Sequence, residues 1–300
     1  MQCWGRNDNG QLGDGTTTNR LTPVLVSNIT TATSVSARHS SHACATLADG
    51  TVQCWGSNVN GQLGDGATTN RLTPVLVSGI TTATSVSTSG SHTCATLADG
   101  TVQCWGNNAN GQLGDGTTTN RLTPVLVSGI TTATSVSAGA FHNCAMLADG
   151  TVQCWGHNAK GQLGNGTTAD SNIPVQVSNI TTATSVSAGY EFNCATLPGD
   201  TVQCWGYNGN GQLGNNVTAD SNIPVQVLGI VPGIIVPLRS ADTLSDVEIA
   251  GIAVGCIAFV IILTLIGLCV RSRRRADKLR ARGAPVAVTP QQPQVIVIQT

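Results

Sequence analysis

Cysteines recur in pairs ten residues apart: Cys44 with Cys54, Cys94 with Cys104, Cys144 with Cys154, and Cys194 with Cys204. Thiols at such spacing can oxidise to disulfides, ligate zinc or stay as buried thiols. No C-x-x-C and no paired-histidine spacing accompanies them, which disfavours zinc. His42, His92 and His142 each stand two residues before a cysteine, where a ligand or general base could sit, but Phe192 takes that place in the fourth copy. Packing is the better reading. Asp49, Asp99 and Asp149 lie in Ala-Asp-Gly and read as turn residues rather than catalytic acids. The Gly-Gln-Leu-Gly strings lack the Lys-Ser/Thr of a phosphate loop and read as turn formers with Leu packed inward. Catalysis needs unlike groups held together, whereas this chain repeats the same few polar residues, so no nucleophile–base set is visible. The chain is read as non-enzymatic, with no catalytic residue, no metal and no cofactor.

The elements that carry these residues repeat. Trp4, Trp55, Trp105, Trp155 and Trp205 each sit in Cys-Trp-Gly, at spacings of 51, 50, 50 and 50. Residues 1–230 are therefore one repeat domain. One copy predicts four strands: a at Pro124 to Val127, b at Ala133 to Ala138, c at Cys144 to Leu147 and d at Thr151 to Trp155. Ala-Asp-Gly at 48–50 fits a three-residue hairpin loop with Gly in the left-handed position. Counting outward from Leu47 opposite Thr51 places Thr46 against Val52, Ala45 against Gln53 and Cys44 against Cys54. Alternation makes each cysteine pair a non-hydrogen-bonded site with a Cα separation in disulfide range. Four disulfides are predicted, and they imply an oxidising compartment.

The string from His92 to Gly114, His-x-Cys-Ala-x-Leu-x-x-Gly-x-Val-x-Cys-Trp-Gly-x-Asn-x-x-Gly-Gln-Leu-Gly, resembles the repeats of the regulator of chromosome condensation family. The resemblance covers residues 1–230. It implies an all-β fold, a β-propeller or partial propeller of four-stranded blades around an axis, and its cysteine-bearing variety resembles the secreted or surface-exposed branch. The phase here is a strand d at residues 2–5, four complete a–b–c–d units, and a lone strand a near Pro224 to Val227 forming a split blade. Cys3 has no hairpin partner upstream. The simplest account is a chain lacking its signal peptide and further repeats; a compact five-bladed ring is the alternative.

Charge organises the remainder. Residues 1–248 carry 7 basic and 14 acidic groups, which excludes a nucleic-acid surface on the repeats. Residues 231–248 read as a linker. Residues 249–270 contain no charge and are long enough to cross a bilayer as one C-terminal transmembrane α-helix. Residues 271–282 carry 7 basic groups and one acidic, and residues 271–300 read as a disordered cytoplasmic tail. The positive-inside rule places the repeats outside the cell membrane, with the span and basic tail contacting lipid. Gly251 and Gly255 form a weak dimerisation cue, and Cys269 is a palmitoylation candidate. Asn28, Asn165, Asn179 and Asn216 begin glycosylation sequons.

Against a nearly fixed frame, two windows vary between copies. One is the b–c loop, with Arg38, His39, Phe141, Tyr190 and Glu191; the other follows strand d, with Arg6, His157 and Tyr207. In an up-and-down meander both windows emerge on one face, which makes these eight residues candidate contacts for a protein or glycan ligand. A membrane-tethered recognition or adhesion module is the leading function. The alternative, which the family resemblance implies, is a guanine-nucleotide exchange factor acting on a small GTPase, and it requires cytosolic repeats.

Overall fold

The computed structural model describes residues 1–38 and 41–230, and every regular element among them is a β-strand. The chain divides into a unit spanning Met1–Ile234 and a second spanning Ile235–Thr300. The predicted linker, transmembrane segment and basic tail lie outside the described residues, as do His39 and Ser40. No helix among the described residues is long and apolar enough to cross a membrane.

The c–d hairpin follows from its turn chemistry. Gly50 adopts a φ of 79°, a conformation that side chains resist. Asp49 Oδ1 accepts the Thr51 N–H at 3.0 Å and the Thr51 hydroxyl at 2.7 Å, tying the turn shut. Thr46 then faces Val52, Ala45 faces Gln53 and Cys44 faces Cys54. The expected disulfides close in all four hairpins. The ladder extends beyond Cys44 to pair Ala43 with Trp55 and His42 with Gly56, so strand c starts two residues earlier than predicted.

Strands β1 (Gln2–Gly5) and β2 (Arg20–Leu25) form a two-stranded sheet. Four-stranded sheets follow. The first holds β3 (Ala32–Ser36), β4 (His42–Leu47), β5 (Val52–Gly56) and β6 (Arg71–Leu76). The second holds β7 (Ala83–Thr88), β8 (His92–Leu97), β9 (Val102–Gly106) and β10 (Arg121–Leu126). The third holds β11 (Ala133–Ala138), β12 (His142–Leu147), β13 (Val152–Gly156) and β14 (Ser171–Gln176), and the fourth β15 (Ser185–Ala188), β16 (Phe192–Leu197), β17 (Thr201–Gly206) and β18 (Ser221–Gln226). Each sheet thus reads b–c–d–a.

This order corrects the expected split blade. β18 is not a lone strand but the fourth strand of a complete sheet, and β1 pairs with β2 rather than with the last strand. The cause is local: the d–a loop folds strand a back on the d strand before it. The a–b connection instead leaves the sheet, where the Ala83 N–H reaches back to the Gly50 carbonyl at 2.9 Å. Strand a also runs Arg121–Leu126 rather than Pro124 to Val127, with a register shift between Arg121 and Val125 around Pro124. A proline is tolerated there because the strand is outermost and the irregularity absorbs its missing N–H.

The sheets are joined through their first strands, β3, β7, β11 and β15, which touch in succession. A hydroxyl series stitches them. Ser36 Oγ accepts the Thr88 N–H at 3.0 Å, Ser87 Oγ the Ala138 N–H at 3.0 Å and Ser137 Oγ the Ala188 N–H at 2.9 Å. The apolar core lies between sheets rather than within them. Cys44, Val52, Cys54, Leu63, Val77 and Ile80 pack against Ala95, Leu97 and Trp105 of the next sheet.

The tryptophans show why the motif repeats. Trp105 Nε1 donates to the Gln62 carbonyl at 2.9 Å, and Trp55, Trp155 and Trp205 do likewise to Gln11, Gln112 and Gln162. A Cβ on Gly64 would lie 2.8 Å from Trp105 Nε1, so the Gly-Gln-Leu-Gly loop is a hole cut for the next copy's indole. Trp105→Ala should cost about 3–5 kcal/mol by emptying that hole. Urea unfolding should show this loss, while Trp4→Ala, at a side chain already 44% exposed, should change stability little.

Candidate functional site: the loop face

The d–a loop is built around one buried asparagine per copy. Asn58 donates its N–H to Asn70 Oδ1 at 2.8 Å and its Nδ2 to Asp65 Oδ1 at 3.0 Å and the Ala67 carbonyl at 3.1 Å. Its Oδ1 accepts the Leu63 N–H at 3.0 Å. Asn7, Asn108, Asn158 and Asn208 hold the equivalent Leu N–H in their own loops. Arg20 with Asp14, Arg71 with Asp65 and Arg121 with Asp115 brace the first three loops at 2.8, 2.7 and 2.8 Å. With its backbone fixed in this way, the loop can vary at the residue before the asparagine.

That position is less free than its variation suggests. Gln62 Nε2 donates to Ser57 Oγ at 3.4 Å, Gln112 Nε2 to Asn107 Oδ1 at 2.7 Å, and Gln162 Nε2 to His157 Nδ1 at 2.9 Å. Serine, asparagine and histidine can each accept this bond. Arg6 cannot accept it and pairs with Asp8 at 2.6 Å. Tyr207 lies under Lys160, whose Nζ is 5.3 Å from the ring centroid and 3.4 Å from Asp220 Oδ2.

The b–c loop meets the d–a loop through the backbone. The N–H groups of Ser57, Asn107, His157 and Tyr207 donate to the carbonyls of Ser41, Ser91, Phe141 and Glu191. The two variable windows therefore adjoin within each sheet. Between the third and fourth sheets they also adjoin each other, because the Ala140 N–H donates to the Tyr190 carbonyl at 3.2 Å. There Phe141 stands edge-to-face with His157, centroids 6.3 Å apart at 84°, and with Tyr190, 5.9 Å apart at 82°. Tyr190 is 56% exposed and Glu191 half-buried.

Arg38 reaches the same neighbourhood from the first complete sheet. Its Nη1 donates to the carbonyls of Ala138, at 3.2 Å, and Ala188, and its Nη2 to Ser187 Oγ at 3.3 Å. Burial lowers its pKa from the ordinary guanidinium range. The structure thus brings together Phe141, His157 and Tyr190, with Arg38 bonded to the strand ends feeding their loops. Tyr207 and Glu191 adjoin through the backbone. Arg6 stands on the two-stranded sheet with its own partner, and His39 lies outside the described residues. Sequence reasoning missed Lys160, although it is the one departure from the Asn that precedes Gly in the other four loops.

The histidines take structural places. His42 Nε2 lies 2.8 Å from Thr93 Oγ1, His92 Nε2 3.0 Å from Asn143 Oδ1 and His142 Nε2 2.9 Å from Asn193 Oδ1, each bond joining one sheet to the next. Because Thr93, Asn143 and Asn193 donate onward to the carbonyls of Gln62, Gln112 and Gln162, each histidine is the donor at Nε2. Ser89 Oγ meets His92 Nδ1 at 2.7 Å, whereas the equivalent residue before His142 is Gly139, and His142 Nδ1 has no partner among the described residues. Asn28, Asn179 and Asn216 are exposed turn residues with φ of 56°, 59° and 64°, standing where other copies have Gly. Asn165 Oδ1 instead accepts the Thr167 N–H at 3.1 Å.

Comparison with known proteins places this architecture. The human WBSCR16 crystal structure aligns at a TM-score of 0.67 and 22% identity, covering 75% of this chain and 61% of that one. Yeast RCC1 (Prp20), solved bound to Kap60, aligns at 0.64 and 19% identity, covering 73% and 54%. Prp20p of Saccharomyces cerevisiae, described with its binding to Gsp1p and histones, aligns at 0.63 and 19% identity, covering 76% and 56%. This chain thus spans between half and two thirds of the length of these proteins, and they share its fold. Residues 1–241 match the RCC1-like domain, and the chain belongs to that family.

Proposed function

We propose that the repeats form a non-enzymatic, membrane-anchored extracellular recognition module that holds a protein ligand on its loop face. The observation that carries the reading is the Phe141–His157–Tyr190 cluster, assembled from both variable windows of adjoining sheets. Aromatic side chains on a rigid frame are the usual anchors of a protein interface. The outward orientation is supported by the four cysteine pairs, which suit an oxidising compartment, and by the basic residues after the apolar segment at 249–270.

Two measurements test this. Phe141→Ala and Tyr190→Ala should each weaken ligand capture by tenfold or more without lowering the unfolding midpoint; unchanged capture would sink the loop-face assignment. Protease added to intact cells should digest the repeats and leave the tail. Protection of the repeats would restore the exchange-factor alternative, which needs them beside a cytosolic GTPase.

A further inference from the structure

The described residues include five arginines, and four of them face a carboxylate: Arg6 with Asp8, Arg20 with Asp14, Arg71 with Asp65 and Arg121 with Asp115. Arg38 does not. It is half-buried and held by two carbonyls and a hydroxyl, all neutral. Three of its five N–H donors are thereby used, leaving Nε–H and one Nη2–H without an acceptor among the described residues. Glu191 belongs to a neighbouring b–c loop yet forms no ion pair among the described residues. The chain itself shows what such a donor pair takes, since Arg121 Nε and Nη2 both donate to Asp115 Oδ2, at 3.0 and 2.8 Å.

We infer that Arg38 is the anchor of an acidic-peptide site, taking an Asp or Glu side chain of a partner protein with an adjoining apolar residue against Phe141 and Tyr190. Geometry joins the two halves of the site. The carbonyls that fix Arg38 belong to Ala138 and Ala188, the last residues of β11 and β15. The chain then runs directly into the loops bearing Phe141 and Tyr190, which are bonded to each other through Ala140. The carbonyls pre-position the guanidinium, so binding orders little further side chain. A partly desolvated cation with unused donors gains most from a carboxylate, whose charge-assisted bonds are about twice as strong as neutral ones. Tyr190, more than half exposed beside the Phe141 edge, offers the apolar contact that distinguishes a peptide from an acidic sugar chain.

The inference rests on the loop-face reading and can fail separately from it. The full chain in phosphatidylcholine nanodiscs is panned against a random twelve-residue peptide library. Enriched peptides are expected to carry Asp or Glu next to an aliphatic or aromatic residue. Replacing that acid by its amide should weaken binding to the unaltered chain more than tenfold. Arg38→Gln should impose the same loss, and the two changes together should cost no more than either alone. The peptide arm needs no altered protein, so it remains decisive even where Arg38→Gln unfolds. Enriched peptides without an acid, indifference to its amidation, an empty selection, or tighter binding of hyaluronan fragments that displace the peptide each overturn the inference. Peptides that ignore Arg38 but are lost with Tyr190→Ala overturn the acidic site alone; peptides that ignore both overturn the loop face as well.

Discussion

Reducing the four disulfides should unfold the repeats near 37 °C. A bridge spanning ten residues restricts the unfolded chain by about 2.7 kcal/mol in the entropy model, so four amount to roughly 11 kcal/mol. That equals most of the stability of an ordinary domain, about 5–15 kcal/mol. The sulfurs are also placed where their loss is felt, since Cys44 and Cys54 lie in the core shared with Trp105 of the next sheet. Thermal unfolding followed by tryptophan fluorescence, with and without a phosphine reductant, measures the effect. A single Cys94→Ser, Cys104→Ser variant should lose about 3 kcal/mol. An unchanged transition after thiol titration confirms complete reduction would refute the assignment.

Acid should open the junctions between sheets at a pH where carboxylates are still ionised. Burial, with a smaller contribution from His92, pushes the His42 pKa down to about 3. Burial also pushes His142 down to about 4, against its hydrogen bond to Asn193, which raises it. In the unfolded chain both return to about 6.5, so the unfolded state binds the protons and stability falls as pH drops below that value. Each histidine then forfeits about 1.4 kcal/mol per pH unit, roughly 2 kcal/mol by pH 5, and the pair roughly 4 kcal/mol. The loss continues toward pH 4, where the His142 contribution is complete, and pH 3, where that of His42 is. Asp14, Asp65 and Asp115 are raised by burial but lowered further by their hydrogen bonds and arginines, so they act only below the 3.8 of an ordinary aspartate. Urea unfolding at pH 7 and pH 5 should show the difference. A His42→Gln, His142→Gln double variant should show a flatter profile over that interval.

What the sequence made legible was local or periodic. Ala-Asp-Gly set the hairpin, the hairpin set the register, and the register paired the cysteines, all within about ten residues of chain. The grouping of strands into sheets was misread because strand a can pair either way by pattern alone. Pro124 in mid-strand was the available signal, since it marks an outermost strand. The contact of Trp55, Trp105, Trp155 and Trp205 with the preceding loop crosses more than 40 residues and is the same in all four, so no difference between copies exposes it. The two variable windows were legible from those differences. The partners of Arg38 were not, because they lie 100 and 150 residues away in the chain.

The placement of the core between sheets also bears on how such a gene can change. Among the described residues each junction seats one copy's indole in the previous copy's glycine-lined hole, so this contact is interchangeable. Unequal recombination that inserts or deletes one 50-residue unit in frame restores the same indole-in-hole contact at the crossover. Copy number can therefore drift without a misfolded intermediate, while any substitution in the tryptophan or its hole must be tolerated by both neighbours at once. Selection under these conditions homogenises the frame and leaves diversification to the loops, the division of labour that the near-identical copies of this chain display.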